Sequence, residues 1–239
     1  MTQTLNLAHR GFAGEYPENT MLAFERAIEA GCDGFETDVQ LSADSETVLI
    51  HDETVDRTTD GSGVVCELTL EQIRRLDAGE GERAPTLAEL LRLVRERGLW
   101  LNIELKNGMA PRPGMEAAVI RQVRAFGLTE RVILSSFNHR SMVLCKQLAP
   151  EIRTGLLYMQ PLHEVQKYAR TCGADAIHPH YLLATRDPDL TPLCREARVA
   201  MNVWTADDPD VIAQLAQANV NAIISNYPNR VRAVLEGVK

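Results

Sequence analysis

Short apolar runs alternate with longer amphipathic runs along almost the whole chain. The short runs have the length and composition of β-strands, and they cover residues 4–9, 34–41, 99–105, 131–137, 153–158, 175–180, 199–205 and 221–226. The runs between and after them repeat apolar residues with a helical period, and several end at a glycine of the kind that closes helices. Eight strand–helix units in succession predict an α/β fold, the closed (β/α)8 TIM barrel.

A doubly wound open sheet is the alternative for this alternation. Such a sheet usually places a glycine-rich phosphate-binding turn directly after its first strand. The first predicted strand of this chain is followed instead by HRGFAG at residues 9–14, which matches that turn poorly. We therefore prefer the barrel.

One segment interrupts the alternation after the second predicted strand. Residues 46–50 have the pattern of an extra strand, and a long polar segment over residues 52–84 follows it, with one short amphipathic helix around residues 68–77. We interpret this segment as a small insertion on the face of the barrel where the strands end. The chain is then predicted to form a single domain over residues 1–239.

Composition and charge narrow the classes of function. The formal net charge of -8 argues against a nucleic-acid surface, which would be basic. The longest apolar stretches are too short to span a bilayer, so we expect no membrane insertion, and the N-terminus does not resemble a signal peptide. Five scattered cysteines without a C-x-x-C pair favour reduced thiols. We predict a cytoplasmic protein.

Acidic residues fall inside two of the predicted strands. Glu36 and Asp38 are two residues apart, so they point to the same face of their strand, with Cα atoms roughly 6.6 Å apart at a rise of about 3.3 Å per residue. Glu104 of the next barrel strand would add a third carboxylate. Three carboxylates favour Mg²⁺, Ca²⁺ or Mn²⁺ over Zn²⁺. The alternative is that Glu36 lies on a solvent-facing side and pairs with a surface base.

Basic and histidine side chains occur at the ends of neighbouring strands. His9 and Arg10 end the first strand, His51 ends the extra strand, and Lys106 follows Glu104. Taken alone, His9 and Arg10 could merely cap a strand. Near three carboxylates, however, an arginine and a lysine can bind a phosphate, and two histidines can transfer protons near neutral pH. The set indicates metal-assisted phosphoryl transfer.

The ordered motifs resemble the glycerophosphodiester phosphodiesterase family. The chain contains, in this order, HRG, PENT, ETDV, HD, RTTDG and IELK, most of them in its first half. The resemblance implies a TIM barrel with an insertion at about residues 52–84. It also implies hydrolysis of a small-molecule glycerophosphodiester, such as glycerophosphocholine or glycerophosphoethanolamine, to sn-glycerol 3-phosphate and an alcohol with a divalent cation, through a cyclic phosphate.

The resemblance also implies roles for individual residues. The metal ligands would be Glu36, Asp38 and Glu104. The acid/base pair would be His9 and His51, with His9 as the base and His51 as the acid in the first step. The phosphate-binding residues would be Arg10 and Lys106, and the supporting residues of the PENT loop would be Glu18 and Asn19.

The second half of the chain offers candidates for the substrate pocket. Trp204 would form a wall beside the glycerol, with Asn202 next to it, although Trp204 could equally be a packed core aromatic. His178 would contact substrate, or would merely cap a turn, and Phe137 would line the pocket. Asn226 stands where the family often has an aspartate, so its role is left open, as is that of His180.

Two other functions compete with this one. A lysophospholipase D would act on lysophospholipids and would require an exposed apolar rim, of which the polar insertion offers little. A non-catalytic phosphate-binding barrel would have lost a histidine or a metal carboxylate, but all of them are present. The protein would be a monomer or a homodimer.

Overall fold

Eight parallel strands form a closed barrel, as the alternation predicts. The computed structural model describes residues 4–108 and 112–237. Its strands are β1 (Leu5–His9), β2 (Gly34–Leu41), β3 (Thr47–Leu49), β4 (Trp100–Leu105), β5 (Val132–Ser136), β6 (Arg153–Tyr158), β7 (Ala176–Pro179), β8 (Ala200–Val203) and β9 (Ala222–Ser225). All except β3 belong to the barrel, which closes because β1 pairs with β2 on one side and with β9 on the other.

Helices surround the barrel and connect its strands. They are α1 (Met21–Glu29), α2 (Leu70–Ile73), α3 (Leu87–Arg97), α4 (Met115–Ala125), α5 (His139–Leu148), α6 (Val165–Thr171), α7 (Tyr181–Arg186), α8 (Leu190–Glu196), α9 (Pro209–Gln217) and α10 (Pro228–Gly237). The sequence pattern does not predict α7, because its six residues are too few to establish a helical period. Within the described residues, no helix has both the length and the apolar character needed to cross a bilayer.

The insertion has a small apolar core of its own. Strand β3 pairs antiparallel with β2, with Leu49 opposite Val39, and so confirms the predicted extra strand. Buried apolar side chains then join β3 to the polar segment, and they are Val48, Ile50, Val55, Val65, Ile73 and Ala84. The chain rejoins the barrel at Thr86, whose side chain caps α3 in a capping box with Glu89. This packing fixes the position of His51, because His51 directly follows Ile50, a residue of this core.

Strand register brings the polar residues of the first strands together. His9 at the end of β1 is in register with Glu36 on β2, and Asp38 is in register with Glu104 on β4. In a (β/α)8 barrel the carboxyl ends of the strands form one face, which carries the functional groups. The apolar residues that alternate with these polar residues along the strands, such as Phe35, are buried against the surrounding helices.

His178 lies inside the barrel rather than at its mouth. Its side chain is fully buried, and its Nε2 accepts a hydrogen bond from the Asn202 amide at 2.9 Å. The ring occupies the space above Gly155, where a Cβ atom would collide with it. Burial lowers the pKa of His178 to about 3. We expected His178 to contact substrate, but its ring has no exposed surface, because residues of β6 and β8 cover it.

This burial makes protein stability depend on pH through His178. Its pKa in the folded protein, about 3, lies below its ordinary value of 6.5, so the unfolded chain binds the extra proton first. Stability is then lost as the pH falls below the ordinary value. We expect the free energy of unfolding of the wild type to fall more steeply than that of His178→Gln, by up to about 1.4 kcal/mol per pH unit between about pH 6 and 4.

Urea unfolding at a series of pH values measures this difference in slope. His163→Gln serves as the control, because the His163 side chain is 96% exposed and its substitution should leave the wild-type slope unchanged. Equal slopes for the wild type and His178→Gln would show that His178 does not resist protonation in the folded protein.

Candidate active site

Three carboxylates meet where β2 and β4 approach the mouth of the barrel. Glu36, Asp38 and Glu104 are all buried, and each offers an oxygen within 4.8 Å of those of the other two. The sequence predicted this cluster from the spacing of Glu36 and Asp38 and from the neighbouring strand. The alternative that Glu36 faces solvent is wrong, because every residue of β2 is buried.

The cluster is electrostatically unbalanced without a cation. Burial and repulsion from Asp38 raise the pKa of Glu36 well above its ordinary value, and the same two causes raise the pKa of Glu104 to about 7. Burial also opposes the charged form of Asp38, but Arg10 and Lys106 outweigh it and lower its pKa. Among the described residues, Asp38 Oδ1 has no hydrogen-bond partner. Three converging carboxylates with an unsatisfied oxygen fit a hard divalent cation.

The HRG and PENT loops hold Arg10 against this cluster. Arg10 and Asn19 have left-handed backbones, with φ of 53° and 56°, a conformation that non-glycine residues rarely adopt outside functional or tightly held sites. The Arg10 amide donates to the Glu36 carbonyl, and the Asn19 amide donates to the Arg10 carbonyl, each at 2.9 Å. The Arg10 guanidinium lies 3.1 Å from Asp38 and 2.9 Å from Glu18. Asn19 also donates to Asp38 at 3.1 Å.

Lys106 directly follows β4, and its side chain also contacts the cluster. Its ammonium lies 2.8 Å from Glu104 Oε1 and 3.7 Å from Asp38 Oδ1. Arg10 and Lys106 thus both contact Asp38, so that residue has a cation partner on each side. The predicted phosphate-binding pair, Arg10 and Lys106, is therefore brought to the carboxylates.

The two histidines have different partners behind their rings. His9 Nδ1 lies 2.7 Å from Asn226 Oδ1, and His9 Nε2 lies 3.7 Å from Glu36 Oε2. Burial and the charge of Arg10 lower the pKa of His9 to about 4. His51 Nδ1 instead lies 2.6 Å from the carboxylate of Asp52. One imidazole is thus backed by a neutral amide and the other by a negative charge.

Arg57 of the insertion connects His51 to the barrel residues. Its guanidinium donates to both oxygens of Asp52, at 2.6 and 3.0 Å, and to both oxygens of Glu18, at 2.8 Å each. The hydrogen bonds from Arg57 keep the pKa of Asp52 below its usual range. The sequence did not identify Arg57 as a site residue. The RTTDG motif was the available signal, but it indicated only the beginning of the insertion.

A cavity of about 190 Å³ opens among these residues. One side is polar and contains His9, Arg10, Glu36, His51, Asn102 and Glu104. The other side is apolar and contains Phe137, Leu157, Met159, Trp204 and Ile224. Asp38, Lys106, Glu18 and Asn19 lie behind the polar side through the contacts above. A larger cavity, about 580 Å³, opens at the other end of β7–β9 and contains none of the predicted site residues.

Trp204 and Phe137 form the outer part of the apolar side. Their rings meet edge to face with centroids 5.6 Å apart, and Trp204 Nε1 donates to the His178 carbonyl at 2.7 Å. Asn202 does not line the cavity, because its side chain is buried and its amide donates to His178. Sequence reasoning missed Leu157, Met159 and Ile224, whose apolar side chains carry no motif that distinguishes them from core residues.

Comparison with known proteins finds relatives that match almost the whole chain. The sequence model of the glycerophosphoryl diester phosphodiesterase family matches residues 9–230. A glycerophosphodiester phosphodiesterase of Caldanaerobacter subterraneus is 42% identical over 95% of this chain and 95% of its own. Another, of Bacillus altitudinis, is 36% identical over 97% and 98%.

A solved structure gives the same result for the fold. An Oleispira antarctica phosphodiesterase, determined in complex with the product sn-glycerol-3-phosphate, superposes with a TM-score of 0.88 and is 29% identical. The alignment covers 99% of this chain and 97% of that one. With the family model, two full-length relatives and the barrel in agreement, the chain belongs to the glycerophosphoryl diester phosphodiesterase family of enzymes.

Proposed function

We propose that this protein hydrolyses glycerophosphodiesters, such as glycerophosphocholine or glycerophosphoethanolamine, to sn-glycerol 3-phosphate and an alcohol. The observation that carries the proposal is the cavity in which a carboxylate cluster, Arg10, His9 and His51 face one space. The product complex of the Oleispira antarctica protein supports a glycerol phosphate ligand for this fold. A phosphodiester needs charge neutralisation and two proton transfers, and these residue types can provide both.

Glu36, Asp38 and Glu104 would hold one divalent cation, Mg²⁺ or Ca²⁺, with Mn²⁺ as a further possibility. Their oxygens converge within 4.8 Å, and two of the three carboxyl groups have raised pKa values that a bound cation would counter. When bound, the cation supplies positive charge that neutralises phosphate oxygens.

Arg10 and Lys106 would bind the phosphate of the substrate. Both already contact Asp38 at the cluster, and Arg10 also lines the cavity. The guanidinium offers a planar set of donors that matches two phosphate oxygens, and the ammonium offers a compact positive charge. Glu18 and Asn19 would keep Arg10 and Asp38 in place through the contacts they make with them.

His9 and His51 would exchange protons in two steps. In the first step the glycerol 2-hydroxyl attacks phosphorus, His9 accepts the hydroxyl proton, and the bond to the alcohol breaks as His51 donates a proton to the leaving oxygen. This leaves a cyclic phosphate. In the second step a water molecule gives a proton to His51 and attacks phosphorus, and His9 returns its proton to the 2-oxygen. His51 is backed by the Asp52 carboxylate and His9 by the Asn226 amide. Burial and the charge of Arg10 lower the pKa of His9 to about 4, so its ring is unprotonated at neutral pH and can accept the hydroxyl proton.

A second candidate substrate is a lysophospholipid, which would make the protein a lysophospholipase D. The apolar side of the cavity favours this candidate, because Phe137 is 41% exposed and Met159 is 58% exposed at its edge. The insertion offers no comparable apolar rim, but this wall on the opposite side could accommodate part of an acyl chain. Both candidates use the same phosphodiester chemistry and differ in the group that occupies the apolar side.

Metal binding should stabilise the folded protein. Only the folded chain gathers the three carboxylates, so Mg²⁺ or Ca²⁺ at a hundredfold excess over its Kd should raise the Tm by about 5–10 °C in a thermal scan. Glu36→Gln removes one ligand and should abolish the rise. Glu116→Gln is the matched control, because Glu116 is a buried glutamate that contacts Asn107 and Ser141 instead. An undiminished rise in Glu36→Gln would place the cation elsewhere.

Release of sn-glycerol 3-phosphate from glycerophosphocholine, with Mg²⁺ or Ca²⁺, measures the proposed activity. Removing a proton-transfer group should cost a factor of about 10² to 10⁴, so His51→Ala should lose at least a hundredfold in kcat. His163→Ala should retain wild-type turnover, since His163 is exposed outside the cavity.

Lysophosphatidylcholine assayed in parallel separates the two substrates. Faster turnover of lysophosphatidylcholine than of glycerophosphocholine would favour the lysophospholipase D. Binding of glycerophosphodiesters without turnover of either substrate would contradict both and leave a phosphate-binding barrel. Full turnover by His51→Ala would remove His51 from the acid/base pair.

A further inference from the structure

Asn226 connects His9 to a carboxylate on a neighbouring loop. The Asn226 side-chain amide donates to Asp207 Oδ2 at 2.7 Å, and the Asn226 backbone amide donates to Asp207 Oδ1 at 2.8 Å. Ser225 also donates to Asp207 Oδ1, at 2.9 Å. The loop that carries Asp207 is itself fixed, because Arg230 donates to the Asp207 carbonyl at 3.1 Å. Asp207 is therefore held next to the end of β9.

This contact determines which way the Asn226 amide points. An ionised carboxylate only accepts hydrogen bonds, so the group facing Asp207 must be the amide nitrogen of Asn226. The amide oxygen then faces His9, where Oδ1 lies 2.7 Å from Nδ1. The orientation follows from the donors and acceptors alone.

The orientation of Asn226 in turn determines the protonation site of His9. An amide oxygen accepts a hydrogen bond, so Nδ1 of His9 must carry a proton. In the neutral ring the other nitrogen, Nε2, then has a free lone pair. Nε2 is the atom on the side of the carboxylate cluster, 3.7 Å from Glu36 Oε2, and His9 lines the cavity.

We propose that Asn226, oriented by Asp207, is a positioning residue that fixes His9 as the tautomer with a proton on Nδ1 and a free Nε2. An isolated imidazole has no such constraint, and its two tautomers interconvert. The structure thus gives Asn226 a role as the group that presents a proton acceptor to the cavity. The kinetic consequence of this role rests on the proposed phosphodiesterase function, whereas the tautomer itself does not.

An amide suits this role better than a carboxylate would. A carboxylate at the same distance would hold the same tautomer, but it would place a negative charge beside the ring and could not donate a hydrogen bond to Asp207. The neutral amide aligns the ring without adding a charge beside it. The Asn226 amide separates the negative charge of Asp207 from the His9 ring. The two histidines of the cavity thus have different backing groups, an amide behind His9 and a carboxylate behind His51.

Ring-¹⁵N NMR of histidine-labelled protein, near neutral pH and with Mg²⁺ present, tests the tautomer without any substrate. The signal that disappears in His9→Gln identifies His9 among the six histidines of the chain. In the wild type, Nδ1 of His9 should be protonated and Nε2 unprotonated. Asn226→Ala and Asp207→Ala should each shift the signals towards a mixture of tautomers. Asn229→Ala, which changes an exposed asparagine on α10, should leave the wild-type signals unchanged.

Turnover of glycerophosphocholine then measures the consequence. We expect kcat to fall by about tenfold to a hundredfold in Asn226→Ala, with little change in KM, because the proton acceptor is misplaced but substrate contacts remain.

A wild-type His9 with its proton on Nε2 would overturn the proposal, as would an Asn226→Ala spectrum identical to that of the wild type. The wild-type spectrum and Asp207→Ala decide the question even if Asn226→Ala does not fold. Absence of turnover in the wild type, together with the expected spectra, would contradict the phosphodiesterase function and leave the positioning role intact.

Discussion

Repulsion among three buried carboxylates is the constraint on which the rest of the site depends. Glu36, Asp38 and Glu104 share one corner of the barrel because strand register puts Asp38 beside Glu104 and because Glu36 lies two residues before Asp38. Burial makes their charges costly, and the raised pKa values of Glu36 and Glu104 express that cost. Stability alone would favour apolar residues here, so such a cluster indicates a site built for a cation.

Much of the surrounding structure compensates for this concentration of negative charge. Arg10 and Lys106 each contact Asp38, and the strained backbones of Arg10 and Asn19 are held by hydrogen bonds to the same strand and loop. The compensation extends into the insertion, where Arg57 bridges Glu18 and Asp52 and Asp52 contacts His51. The insertion is thus joined to the barrel by ion pairs at the cavity as well as by its own apolar core.

The sequence predicted the parts of this arrangement that depend on short-range patterns. Period-two and helical alternation located the barrel strands, and the E-x-D spacing with the neighbouring IELK located the carboxylate cluster. Contacts between distant loops were not predictable in this way. Asp207 and Asn226 are 19 residues apart and meet only because the loop after β8 packs beside β9. His178 and Asn202 end strands as predicted, but whether such a side chain points inward or to the mouth depends on packing around Gly155.

The apolar half of the cavity could not be predicted from short-range sequence patterns either. Leu157, Met159 and Ile224 have the composition of any strand end, and only the closed barrel brings them opposite the polar half. Sequence motifs therefore located the polar residues that meet at the cavity, whereas the three-dimensional fold was required to describe the apolar surface that completes it.

The central claim is that Glu36, Asp38 and Glu104 together bind one divalent cation. Its most direct test is the position of the bound cation in crystals grown with Ca²⁺, determined from anomalous diffraction. We predict one peak with an oxygen from each of Glu36, Asp38 and Glu104 at about 2.3–2.6 Å, the range typical of Ca²⁺ ligands. A Ca²⁺ ion coordinated by other residues, or no peak at the cluster in crystals soaked to saturation, would contradict the claim.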